Sequence, residues 1–150
     1  MLLPHTYSVE AVKGLVELRG EFNLDYTVHL PLWSIEPSTL VDSVRQGSVQ
    51  ALIELILRTL PLEPIQYVMH ATGALAAEFN RMPLPSSIHH VLMLQFQNNA
   101  RQSLKEILER TGIPSRKLAI ETVEFPLELT LELAEELEMY HLKVFFTILL

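Results

Sequence analysis

Four short runs of β-forming residues, separated by stretches with helical periodicity, constrain this chain more than any other feature. Residues 26–30, 65–70, 118–121 and 142–149 are rich in β-branched, aromatic or aliphatic side chains, and each of the first three is followed by a helical pattern. Strands that alternate with helices read as βαβ units with a parallel sheet, which places the chain in the α/β class. In such a sheet the strand C-termini all open on one rim, so residues far apart in sequence converge there.

The helical intervals carry their own punctuation. Ser8 can cap a helix over residues 9–22, in which Val12, Leu15, Val16 and Leu18 form an apolar stripe. Pro31 stops the first strand, a loop follows over 33–37, and Ser38 is placed to cap a helix running to about residue 60. Leu52, Leu55, Ile56 and Leu60 form the buried face of that helix, and Pro61 and Pro64 end it. Gly73, Pro83 and Pro85 predict an irregular stretch. A longer helix is expected over 88–111, with Leu92, Phe96, Leu104, Ile107 and Leu108 inward and Gly112 suited to the left-handed residue after a helix. Pro126 opens a further helix, with Leu129, Leu133, Ala134 and Leu137 on its core face.

Composition excludes several classes. At 150 residues the chain can form one well-buried domain over 1–150, but it is too short for a complete eight-stranded βα barrel of about 250 residues. The net charge of -7, with scattered Lys and Arg, argues against a nucleic-acid partner gripped through its phosphates. Although 49% of residues are hydrophobic, no apolar run approaches the roughly 18 residues needed to cross a bilayer, so no membrane partner is expected. The start Met1-Leu-Leu-Pro lacks the basic and long apolar parts of a secretion signal, which predicts a cytoplasmic location. With no cysteine, disulfides and thiolate metal sites are out of reach.

Three strong metal donors stand at or near strand ends: His29 in Tyr26-Thr-Val-His-Leu-Pro-Leu, His70 in Ile65-Gln-Tyr-Val-Met-His, and Glu121 in Leu118-Ala-Ile-Glu-Thr. A histidine near a strand end is more often a hydrogen-bonding partner than a ligand. Two imidazoles and a carboxylate at one end of three successive strands form a donor set suited to a divalent cation such as zinc or manganese. Other signals are weaker. His89 and His90 are adjacent on a helix, so their rings point about 100° apart and cannot share an ion. The acids between Glu124 and Glu138 fit the wet face of an amphipathic helix and form no EF-hand loop. Gly47 and Gly73 are isolated, so no glycine-rich phosphate loop is present, and no nucleophile elbow surrounds a serine. Arg45 reads as a surface salt-bridge partner that could also meet a phosphate.

The segments 26–32, 67–70 and 119–129 resemble successive strand motifs of the xylose-isomerase-like, endonuclease-IV-type barrel superfamily. Within it they look most like the cobamide-remodelling phosphodiesterases (CbiR type), with His-Leu-Pro-Leu a moderately specific motif. The resemblance implies a partial (β/α)8 TIM barrel of about four parallel strands with alternating helices, in which His29, His70 and Glu121 are metal ligands. It further implies metal-dependent hydrolysis of a phosphodiester in a small molecule such as a cobamide. The alternatives are sugar isomerisation or epimerisation at the same rim, and a non-catalytic relic scaffold. The family's Asp-x-Gly-His strand has no counterpart in Leu142-Lys-Val-Phe-Phe-Thr-Ile-Leu-Leu150, while Trp33 and Thr122 stand where that subfamily often has Asp and Asn. The expectation is therefore a fragment or half of an assembly with impaired hydrolysis and weak metal binding, prone to self-association through open sheet edges.

Overall fold

Thr27–His29 (β1), Gln66–Met69 (β2), Leu118–Thr122 (β3) and Tyr140–Lys143 (β4) form one sheet in the order β1-β2-β3-β4, with every neighbouring pair parallel. The computed structural model describes residues 8–122 and 125–143. The helices are Val9–Phe22 (α1), Asp42–Thr59 (α2), Gly73–Arg81 (α3), Ser86–Thr111 (α4) and Leu127–Glu136 (α5). Sequential strands are spatial neighbours throughout, as parallel strands joined by helical crossovers require. The fold is an open parallel α/β sheet, the arrangement of a partial βα barrel. The fourth strand begins two residues earlier than the sequence pattern suggests, and residues 144–149 of the expected run lie outside the described residues.

Alternation along each strand divides the sheet into two faces. Val28, Tyr67, Met69, Leu118 and Ile120 point toward the helices, where they pack with Leu52 and Ile56 of α2 and Leu104 and Ile107 of α4. All of these side chains are buried. Tyr67 takes its hydroxyl into that core, where it donates to the carbonyl of Ile56 at 3.4 Å and lies 3.4 Å from the Thr59 hydroxyl, while burial pushes its pKa up. A second cluster of Ala76, Met93, Phe96 and Phe125 fills the space beneath α3. The opposite face of the sheet carries Thr27, His29, Gln66, Val68, His70, Ala119 and Glu121.

Local chemistry explains most element ends. Ser8 Oγ accepts from the Ala11 amide at 3.1 Å and caps α1, whose buried side holds Val12. The phenol of Tyr26 donates to the Leu15 carbonyl at 2.8 Å and fastens α1 beside β1. Gly112 ends α4 with φ at 69°, and its amide donates to the Leu108 carbonyl at 2.9 Å.

Two expectations are corrected. Residues 73–81 form a helix rather than an irregular stretch, and its capping partner is remote: the Glu36 carboxylate accepts from the Leu75 amide at 3.2 Å. Ser38 does not cap α2, which starts at Asp42. Its buried hydroxyl instead donates to the Thr72 carbonyl and ties the loop after β1 to the loop after β2.

Candidate metal centre

Register brings the expected donors together. Met69 pairs with Ile120, so the next level of the sheet holds His70 and Glu121 side by side. His29 pairs with Val68 and therefore stands one inward-facing position lower on the edge strand. This stagger between neighbouring strands accompanies the curvature of a barrel wall. One ligand atom from each of His29, His70 and Glu121 lies within 4.8 Å of the others.

A single carboxylate oxygen sits between the two rings. Glu121 Oε2 is 2.7 Å from His29 Nε2 and 3.3 Å from His70 Nε2, and the ring centroids are 5.3 Å apart with planes tilted by 48°. Exposure differs sharply across the set: the side chains of His29, Glu121 and His70 are 48%, 15% and 8% exposed. His70 therefore forms the floor of the site and His29 its open side.

The hydrogen bonds bear on what could occupy the site. His29 Nδ1 lies 2.8 Å from the Leu30 carbonyl, which can only accept, so Nδ1 carries the proton. In the neutral ring Nε2 then presents a lone pair to the carboxylate 2.7 Å away. Two acceptors at that separation repel unless a proton or a cation lies with them. A carbonyl on the far nitrogen is also the usual way in which a metal-ligating imidazole is oriented. His70 adds a second signal: its Nδ1 is buried and has no hydrogen-bond partner among the described residues. Such an orphan costs about 1–3 kcal/mol and calls for an explanation. Burial lowers the His70 pKa, and the nearby His29 lowers it further, against the raising pull of Glu121. That lowering favours the neutral ring, the form that binds metals. The donor set fits a divalent cation.

The remaining candidates fall elsewhere. His89 Nε2 pairs with Asn80 Oδ1 at 3.0 Å, and His90 is exposed. Glu136 pairs with Arg101 at 2.6 Å and Lys105 at 3.1 Å, which lower its pKa, and Glu128, Glu132 and Glu135 share the solvated side of α5. Glu124 lies outside the described residues. Arg45, expected at the surface, is buried. Its guanidinium donates to Asp42 at 2.9 Å and to Ser103 at 3.3 Å, so it braces α2 against α4. Its charge is already matched, with Glu106 at 3.9 Å as a further partner.

No family model matches the chain, and no curated protein matches it. A crystal structure of a D-tagatose 3-epimerase-like protein does match, with a TM-score of 0.58 and 23% identity over 79% of this chain. The likeness is one of fold. The chain spans 40% of that protein's length.

Sequence reasoning missed Glu36, which organises the rim from the loop after β1. Its amide donates to Ser48 Oγ at 2.9 Å while its carboxylate holds the start of α3. Burial is the main influence on that carboxyl and raises its pKa, against the lowering effect of the Leu75 and Ala74 amides. No local pattern marks a residue whose partners are 12 and 39 positions away. Among the described residues no helix is long and apolar enough to cross a membrane.

Proposed function

We propose that this chain supplies the metal-binding wall of a sugar isomerase or epimerase, with His29, His70 and Glu121 holding a divalent cation. The observation that carries this reading is the convergence of the three donors within 4.8 Å at the C-terminal ends of parallel strands, where barrel enzymes build their sites. The bound ion would polarise the hydroxyl and carbonyl oxygens of a ring-opened sugar. Zinc and manganese suit the mixed imidazole and carboxylate donors.

The chain's own side chains do the rest. Glu121 brings a negative charge between two imidazoles, His70 presents a neutral ring from the floor, and the Leu30 carbonyl fixes the tautomer that aims His29 Nε2 at the site. Sugar chemistry is preferred to cleavage of a cobamide phosphodiester because the protein that shares this fold is described as D-tagatose 3-epimerase-like. The hydrolytic reading rests on the strand motifs alone. The small-molecule partner is therefore a ketose or aldose, or its phosphate.

The test is turnover. The chain, loaded with manganese or zinc, is incubated with a panel of ketohexoses, pentoses and their phosphates, and in parallel with a cobamide. Products are separated by chromatography. Slow, metal-dependent interconversion of a sugar that is abolished by His70→Ala supports the proposal. Release of a nucleoside from the cobamide would replace it with the hydrolytic reading, and failure of every substrate would leave a binding scaffold.

A further inference from the structure

Two imidazoles share the metal centre, and only one of them is oriented by a backbone group. The Leu30 carbonyl fixes the His29 ring through Nδ1, whereas the buried Nδ1 of His70 has no hydrogen-bond partner among the described residues. His70 also stands just past the end of β2, beyond the last rung that Met69 makes with Ile120. Its placement therefore depends on Glu121, 3.3 Å from its Nε2, and on what holds the backbone that follows it.

That backbone is gripped by the loop that continues from His29. Ala71 and Thr72 are buried, the Ser38 hydroxyl donates to the Thr72 carbonyl, and the Glu36 carboxylate accepts from the Leu75 amide at 3.2 Å. Gly73 leaves room for the second grip, since a Cβ there would overlap Glu36 Oε2. The gripping loop is itself anchored. The Leu30 amide donates to the Val68 carbonyl at 2.8 Å and the Glu36 amide to Ser48 Oγ at 2.9 Å. Ser103 Oγ donates to the Pro37 carbonyl at 2.6 Å, and Asn99 Nδ2 to the Thr39 carbonyl at 2.8 Å. One segment, continuous with His29 and pinned to α2 and α4, thus holds the chain at Thr72 and Leu75, directly beyond His70.

We propose that Glu36 and Ser38 are positioning residues for the metal centre: through Thr72 and Leu75 they set where the His70 ring stands relative to His29 and Glu121. The inference rests on the metal-site part of the reading above and gives that site two side chains outside its donor set. Loss of a group that bonds a metal-ligating side chain typically lowers metal affinity by about 10–100-fold. Glu36 and Ser38 act one step further away, through the backbone, so a loss of roughly three- to tenfold is expected for each.

The His70 ring itself supplies the readout. In metal-free protein isotope-labelled at histidine, Glu36→Ala and Ser38→Ala should shift the His70 ring resonances and leave those of the exposed His90 in place. Glu36→Gln keeps an oxygen acceptor for the Leu75 amide and should return the His70 signals to their parent positions. Zinc affinity, measured by calorimetry, should follow the same order. Where Glu36→Ala fails to fold, Glu36→Asp, which shortens the reach by one methylene, takes its place. Unmoved His70 signals in a folded variant overturn that residue's role, whatever its metal affinity. A Glu36→Gln protein that departs from the parent as far as Glu36→Ala overturns the role of the Glu36 acceptor. A parent chain that binds neither zinc nor manganese overturns the metal-site reading instead, and the ring signals still decide what places His70.

Discussion

Gly73→Ala should destabilise the protein by about 2–3 kcal/mol, and the structure divides that cost into two parts. Gly73 begins α3 with φ at 70°, a left-handed conformation that costs a residue with a Cβ about 1–2 kcal/mol. A Cβ there would also overlap Glu36 Oε2, 3.0 Å from its Cδ and 3.3 Å from the Ile35 carbonyl. The carboxylate must withdraw, which breaks its bond to the Leu75 amide. A hydrogen bond to a charged group is worth about 1.5–3 kcal/mol, which we take as about 1 kcal/mol for a half-exposed carboxylate. The sum corresponds to a fall in Tm of roughly 4–12 °C for a chain of this length. Urea unfolding of the parent, Gly73→Ala, Glu36→Ala and the double variant measures both parts, because the steric part disappears once the carboxylate is gone. The coupling between the two sites should be about 1 kcal/mol. A Gly73→Ala protein within about 0.5 kcal/mol of the parent would refute the reasoning.

Two further predictions concern His70 and the sheet edges. Burial depresses the folded-state pKa of His70, so below its ordinary value of 6.5 the unfolded chain takes up a proton before the folded chain does. Stability from this group is therefore complete above about pH 6.5 and declines as pH falls toward the folded value, a slope that His70→Gln should flatten in urea midpoints of metal-free protein. A parent and variant with identical pH profiles would contradict it. The edge strand β1 lies beside α1, which exposes Val9, Val16 and Phe22. Light scattering should show concentration-dependent association that Val16→Lys with Phe22→Lys suppresses, and a monomer at every concentration would rule this out.

What the sequence revealed depended on how far its causes lie apart. The Ser8 cap, the Gly112 stop and the alternation of β1 to β3 with helices act over a few residues, and each stands where the pattern places it. His29, His70 and Glu121 converge because parallel topology carries each strand end to one rim, which period and order suffice to specify. The helix at residues 73–81 escaped because Gly73 reads locally as a breaker, whereas its left-handed φ starts a helix capped by Glu36 from another loop. Ser38 has the chemistry of an N-cap and spends its hydroxyl on Thr72, 34 residues away. The charge of Arg45 favours water and points it to the surface, yet it is buried. The Asp42 and Ser103 partners that permit its burial come together only through the packing of α2 on α4.

Calorimetric titration of the metal-free chain with manganese or zinc decides whether His29, His70 and Glu121 form one metal site. Weak but saturable binding of one ion per chain is expected, reduced more than about tenfold by either His70→Ala or Glu121→Gln, with protein folding retained. Binding of undiminished affinity in both variants would contradict it, as would a parent chain that takes up neither metal.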